Sequence, residues 1–279
     1  MKILVTGADG QLGRSLPAAL AGHEIISCNR QMLDISDATQ TAEVIGGHRP
    51  AWVINAAAWN QVDAAETEVA AAYRVNAVGP RNLAETTAAL GAGLIHVSTD
   101  YVFDGTATSP YDETATPRPA SVYGASKLAG EEAVRQINPR HHIARTAWVF
   151  HEEGANFPRT MIRLAAGGNL RVVDDQVGSP TYAPHLATAI AALIDRSDYG
   201  TWHLAGGGET SWFGFTKELL RLLTLEVDLE PVGTDAFPRP AQRPSYAPLI
   251  TTKARPIHLP PWEKGLAEFC ARLPDPPQG

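Results

Sequence analysis

The chain has 279 residues, long enough to bury a sizeable core but short for two independent domains, so one large domain with an appendage is expected. Hydrophobic residues make up 44% and charged residues 19%, which places it among globular chains and outside the disordered ones. With 23 Lys plus Arg against 30 Asp plus Glu, a net charge of -7 argues against a basic nucleic-acid binder.

The N-terminus breaks from Met1-Lys2-Ile3-Leu4-Val5 into Thr6-Gly7, before the apolar core of a signal peptide can form. No later run approaches the roughly 18 apolar residues of a membrane span. A cytoplasmic protein with no membrane and no nucleic-acid partner is the expectation. Cys28 and Cys270 are too few for a disulfide framework or a zinc cluster and read as reduced packing thiols.

The first expected strand, residues 2–5, runs into Gly7-Ala8-Asp9-Gly10-Gln11-Leu12-Gly13 and then a helix over 11–21. This G-x-x-G-x-x-G spacing differs from the usual G-x-G-x-x-G, but the physics is shared. Gly7, Gly10 and Gly13 allow a tight turn and a close backbone approach, and the N–H groups at Gln11 and Leu12 open the helix toward a pyrophosphate. The second strand, 24–28, ends at Asn29-Arg30, where an acidic side chain would hold a ribose 2′-OH. A neutral residue followed by a cation suits a 2′-phosphate instead, which favours NADPH and leaves NADH as the lesser option. Asp34-Ile35 precedes a helix over 37–46 with Ser36 as its expected cap, and Asp34 reads equally as an adenine contact or as part of that cap. The third strand, 52–55, closes on Ala56-Ala57-Ala58, small enough for a cofactor to lie against backbone, although tight packing also explains it.

An alanine-rich helical stretch over 67–90 leads to a strand at 94–98, ending in Thr99-Asp100. A helix over 123–137 then places Tyr123 and Lys127 at i and i+4 on one face. A free phenol has a pKa near 10, which the Lys127 ammonium and an oxidised nicotinamide would lower. In this reading Tyr123 gives a proton to a ketone oxygen held by the Thr99 hydroxyl, and Lys127 also binds the nicotinamide ribose. A strand at 142–145 completes an alternation that predicts an α/β fold, a Rossmann-type doubly wound parallel sheet with a smaller C-terminal substrate-binding lobe. The expected division is 1–148 for the dinucleotide-binding domain and 149–279 mainly for the lobe, with later segments returning to the sheet. Glycine and proline clusters mark that second part, and the tail 274–279 is expected to fray.

The glycine turn, Thr99 and the Tyr123/Lys127 pair resemble the extended short-chain dehydrogenase/reductase superfamily. Nearly the whole chain is similar to its dTDP-4-dehydrorhamnose reductase family, through Val62-Asp63-Ala64-Ala65-Glu66, Ser98-Thr99-Asp100-Tyr101-Val102-Phe103-Asp104-Gly105, Tyr123-Gly124-Ala125-Ser126-Lys127-Leu128-Ala129-Gly130-Glu131, Arg145-Thr146-Ala147-Trp148 and Gln242-Arg243-Pro244. The resemblance implies NAD(P)H-dependent reduction of the 4-keto group of dTDP-4-dehydro-β-L-rhamnose, with Thr99, Tyr123 and Lys127 as the catalytic trio. It also implies that Asp100 and Trp148 border the nucleotide-sugar substrate. Some members bind Mg²⁺, but no ligand set maps onto this chain, and a monomer or a homodimer is expected. Asn29 departs from the aspartate often found there, and Ser245-Tyr246-Ala247-Pro248 departs from the usual polar stretch, which leaves NADH use and sugar specificity open.

For the diphosphate, Arg159, Arg163, Arg239 and Arg243 are the available cations, with Arg243 favoured by the motif. Asn156 is a weaker sugar-binding candidate. His185 and the other histidines read as satisfied or exposed, and Trp212, Phe213 and Phe215 as helix anchors. Asp100-Tyr101 in place of an Asp-Glu pair disfavours a dehydratase. A nucleotide-sugar epimerase, another 4-ketoreductase or a non-catalytic NADP-binding regulatory subunit stays as the alternative.

Overall fold

A computed structural model describes residues 1–273, and its first half alternates strand and helix. The elements are β1 (Lys2–Thr6), α1 (Gln11–Ala19), β2 (Glu24–Cys28), α2 (Ala38–His48), β3 (Trp52–Asn55), α3 (Val62–Ala65), α4 (Val69–Tyr73), α5 (Gly79–Ala89), β4 (Gly93–Thr99), α6 (Val122–Ile137) and β5 (His141–Thr146). The second half is more broken, with β6 (Val149–Phe150), α7 (Phe157–Ala165), β7 (Asn169–Val173), β8 (Val177–Gly178), β9 (Thr181–Tyr182), α8 (Ala183–Leu193), β10 (Gly200–His203), β11 (Thr210–Ser211), α9 (Trp212–Leu222), β12 (Asp228–Val232) and α10 (Trp262–Arg272).

Six strands form one parallel sheet in the order β10-β5-β4-β3-β1-β2. The side chains of β1 alternate between two cores, as the period of two requires. Ile3 and Val5 join Leu12 and Leu16 of α1 and Leu186 and Ile190 of α8 on one face. Leu4 meets Ile45 of α2, Leu83 of α5 and Val134 of α6 on the other. Cover on both faces is why β3 and β5 are buried from end to end, although only β3 opens on an apolar run, Trp52-Val53-Ile54, while β5 carries His141, His142, Arg145 and Thr146. The late elements α8 and β10 thus serve the sheet, while Phe150, Met161, Phe215, Leu219, Trp262 and Phe269 gather α7, α9 and α10 around a separate small core.

Three expectations need correction. The stretch 67–90 is not one helix: α4 gives way to a π-helical turn at Arg74–Val78 before α5 starts. Pro80 has no N–H to donate to the Asn76 carbonyl, so the regular ladder breaks there. The Asn76 side chain is drawn inward instead, accepting from Trp59 N–H (2.8 Å) and donating to Trp59 O (2.9 Å) and Ser126 Oγ (3.0 Å). The cap of α2 is Asp37, which accepts from Gln40 N–H (3.0 Å), because Ser36 spends its hydroxyl and its N–H on Asp34 Oδ1 (2.7 and 3.0 Å). Finally, α1 ends at Ala19, two residues before the expected end.

The expected fraying at 274–279 lies outside the described residues. Cys28 and Cys270 are free thiols, the first of them buried. Among the described residues no helix is long and apolar enough to cross a membrane.

Candidate active site

The strand order reverses between β1 and β3, and in open parallel sheets the crevice at such a reversal, outside the carboxyl ends of the strands, takes the ligand. Gly7 leaves β1 with φ +69°, and a Cβ there would lie 2.6 Å from Ala57 N. A Cβ on Gly13 would lie 2.2 Å from Gly7 O, so both glycines are required by contact with backbone. Gly10 stands at the N-cap of α1 in extended conformation, without a side-chain cap and without an acidic residue in the first turn. The N–H groups of that turn are therefore open to an anion.

A cavity of about 280 Å³ opens there, lined by Gly7, Gly10, Asn29, Arg30, Asp34, Ile35, Ala56, Ala57 and Ala58. Trp59 and Asn60, which the sequence did not single out, line it too. The Leu12 side chain packs inward, into the core under α1, while its N–H stays in the uncapped first turn. Asn29 Oδ1 accepts from Gln31 N–H and Met32 N–H (both 3.1 Å), which shapes the turn that carries the exposed Arg30. The Ser36 hydroxyl, helped by the charges of Arg30 and Arg74, holds the Asp34 carboxyl below its ordinary range. Beneath the cavity, Thr6 Oγ1 donates to Asn55 Oδ1 (2.7 Å), Ala57 N–H donates to the same oxygen (3.2 Å), and Asn55 Nδ2 donates to His96 Nδ1 (3.0 Å). Burial and the nearby Lys127 charge push His96 well below the usual histidine range, so it is neutral.

The Thr99, Tyr123 and Lys127 trio gathers at the carboxyl end of β4. Ser121 caps α6 by accepting from Gly124 N–H (3.1 Å), which fixes the start of the helix one residue before Tyr123. Tyr123 and Lys127 are both buried, at 9% and 2% exposure. Burial pushes the Tyr123 phenol up to about 12, against the pull of the Thr99 hydroxyl. The expected lowering by Lys127 is not what this arrangement produces. Lys127 Nζ donates to Val97 O (2.7 Å), and burial brings it down to about 8, opposed by Glu131. Tyr123 thus carries its proton and is arranged as a donor. Thr99 Oγ1 donates to Asp100 Oδ1 (2.9 Å), while burial raises Asp100 to about 7.

The remaining predicted residues face the second lobe. Trp148 follows β5 and lines a cavity of about 190 Å³ together with Gln11, Asn156, Phe157 and Trp212. Asn156 is committed: it caps α7 by accepting from Arg159 N–H (3.1 Å), and its Nδ2 donates to His151 O (2.6 Å) and Gln11 Oε1 (3.2 Å). Arg243 Nη2 donates to Asp63 Oδ2 (2.9 Å), and the guanidinium lies 6.0 Å above the ring of Tyr101, which meets Tyr123 edge-on at 5.4 Å. Its Nη1 is buried without a partner. Arg239 is 3.9 Å from the same Asp63 carboxylate, whereas Arg159 is turned to Glu152 O and Arg163 is exposed. Asp63 lies in the Val62-Asp63-Ala64-Ala65-Glu66 motif, whose local sequence carries no sign of its pairing with Arg243. His185 pairs with Glu268 (3.0 Å). Among the described residues no group of three His, Cys, Asp or Glu side chains could hold a metal ion.

Comparison with known proteins gives a consistent neighbourhood. The family described as "RmlD substrate binding domain" matches residues 1–274. The dTDP-4-dehydrorhamnose reductase of Mycobacterium tuberculosis is 43% identical over 283 residues, covering 97% of this chain and 92% of its own. The solved dTDP-4-dehydrorhamnose reductase of Clostridium acetobutylicum superposes with a TM-score of 0.94 at 41% identity, covering 97% of this chain and 99% of its own. That of Bacillus anthracis, solved in complex with NADP, gives 0.93 at 39% identity, covering 97% and 98%.

Proposed function

The chain belongs to the RmlD substrate-binding-domain family, and from that premise we propose that it is an NADPH-dependent dTDP-4-dehydrorhamnose reductase, forming dTDP-L-rhamnose. The observation that carries this reading is the meeting, at one end of one sheet, of a glycine turn that fits a pyrophosphate and a buried phenol that holds its proton. The NADP complex of the Bacillus anthracis relative supports the cofactor, and the fit of the turn supports it independently.

When bound, the cofactor supplies a hydride to C4 of the sugar. Tyr123 gives its phenolic proton to the C4 oxygen, which the Thr99 hydroxyl holds after turning away from Asp100. Lys127 leaves the Val97 carbonyl for the nicotinamide ribose, and its charge steadies the phenolate that forms. Asp100, raised to about 7, can accept from or donate to a sugar hydroxyl near neutral pH. Trp148 borders the sugar, and Arg243, with its unpartnered Nη1, takes the diphosphate. Residues 149–279 supply most of the substrate lobe, apart from α8 and β10.

The test follows oxidation of NADPH, and separately NADH, with dTDP-4-dehydro-L-rhamnose generated in place by the upstream enzymes. Net oxidation with this sugar is expected, faster with NADPH. No oxidation of either cofactor with verified substrate overturns the reading. A sharper prediction concerns Arg30, whose contact with a 2′-phosphate is a charge-assisted hydrogen bond worth about 1.5–3 kcal/mol. Arg30→Ala is expected to raise KM for NADPH by about ten- to a hundredfold and to leave KM for NADH unchanged. Equal KM changes for the two cofactors would remove Arg30 from the phosphate site.

A further inference from the structure

We propose that Trp212 is a positioning residue of the sugar subsite, holding the Trp148 indole in place as its wall. The inference rests on the reading that Trp148 borders the sugar, and deepens it.

Trp148 has φ +46°, in the left-handed region that a bulky residue seldom occupies. Such a backbone persists only where its surroundings over-determine it. Those surroundings are specific. The Trp148 ring lies face to face with that of Trp212, centroids 3.4 Å apart and planes within 4°. A nearly eclipsed sandwich is not the arrangement that two aromatic rings choose unaided, so the pair must be held from outside. Gly178 leaves the room for it, since a Cβ there would come within 2.5 Å of the Trp148 ring. On the other indole, Phe157 packs at 4.3 Å, and Trp212 Nε1 donates to Gln176 Oε1 (3.3 Å).

The two tryptophans differ in what anchors them. Trp212 is the first residue of α9, whose start is capped by Ser211 Oγ accepting from Gly214 N–H (2.9 Å), and whose body is seated by Phe215 and Leu219 in the small core. Trp148 stands on the short connection after β5, two residues past Thr146, the register partner of Thr99. The rigid helix therefore orients the ring on the connection, and that connection leads from the catalytic strand end. Gln11, which opens the helix of the pyrophosphate turn, borders the same cavity. Trp212 borders that cavity as well, and on this proposal it acts on the sugar through the Trp148 ring rather than by a contact of its own.

That indirectness supplies the test, a double-mutant cycle on KM for the dTDP-sugar with KM for NADPH measured alongside. Trp212→Leu is expected to raise KM for the sugar nucleotide by about tenfold, with KM for NADPH within about twofold of the parent. Trp212→Phe is expected to recover most of that loss, since an aromatic face remains. Trp148→Leu should raise the same KM, and the double variant should be no worse than Trp148→Leu alone. Circular dichroism gives an independent readout, because two coupled indoles produce an exciton couplet that either leucine variant must abolish. An unchanged sugar-nucleotide KM in Trp212→Leu beside a raised one in Trp148→Leu overturns the inference and spares the reading of Trp148. An unchanged KM in both variants overturns that reading as well. Equal rises for sugar and NADPH, or effects that multiply in the double variant, assign Trp212 a general structural role and also overturn it.

Discussion

Tyr123→Phe is expected to lower kcat for sugar reduction by about 10²–10⁴-fold, the usual worth of a positioned general acid, while NADPH binding stays within about twofold. The substitution is mild for the fold. The Tyr123 ring packs with Ala65, Ala72, Trp59 and the edge of Tyr101, and a phenylalanine ring keeps all of those contacts. What disappears is one hydroxyl that burial holds protonated up to about 12. The sign of the pH dependence follows: below that value the phenol is the acid form, so the forward rate does not fall between pH 7 and 9 for want of this proton. Steady-state kinetics and a fluorescence titration of NADPH check the two halves of the prediction. A kcat within tenfold of the parent would move the proton source elsewhere, and Asp100, raised to about 7 beside Thr99, is the next group in reach.

Such a variant could be named from the sequence because its neighbours are local in the chain. Tyr123 and Lys127 are one helical turn apart, and the glycines of the phosphate turn are consecutive with β1, so spacing alone places them. Strand β3 is legible to the residue for a similar reason, since a parallel strand covered on both faces is a short apolar run between turn residues, and the edge strand β2 is legible from Ile25-Ile26 between its polar flanks. Where the physics is not local, the sequence fell short. Asp63 and Arg243 meet across 180 positions, and neither residue's surroundings in the chain signal the other. Trp212 does pack against the small core as expected of a helix anchor, but an aromatic at a helix start carries no mark of its stack on Trp148. The alanine-rich stretch kept helical periodicity through Arg74–Val78, and only the missing N–H of Pro80 hinted at the break. The upward shift of the Tyr123 phenol is not legible either, because composition does not reveal burial, and burial outweighs the pull of the Thr99 hydroxyl.

Burial also governs the second large effect, which lies about two turns beyond Tyr123 along α6. Glu131 is fully buried, and Arg145 grips it with two hydrogen bonds, Nε to Oε1 at 2.9 Å and Nη2 to Oε2 at 2.7 Å. Arg145 is itself 2% exposed, against the ring of Phe103 at 5.2 Å. Glu131→Ala leaves that guanidinium in the interior with no counter-charge, and removing one partner of a buried pair costs about 3–5 kcal/mol. Thermal unfolding should show a melting point lower by about 10 °C. Replacing both partners by methionine should recover much of the loss, since the penalty comes from the unpaired charge more than from the missing bond. A Glu131→Ala melting point within about 2 °C of the parent would mean that Arg145 finds another anion or water, and the account of the pair would fall. The same substitution reaches Lys127. Glu131 is the anion that opposes the burial-driven fall of Lys127, so without it the ammonium gives up its proton at a pH below about 8. In Glu131→Gln, which keeps an acceptor for Arg145 but not the charge, the alkaline limb of the rate profile should therefore move to lower pH, and a limb that stays in place would separate Glu131 from Lys127.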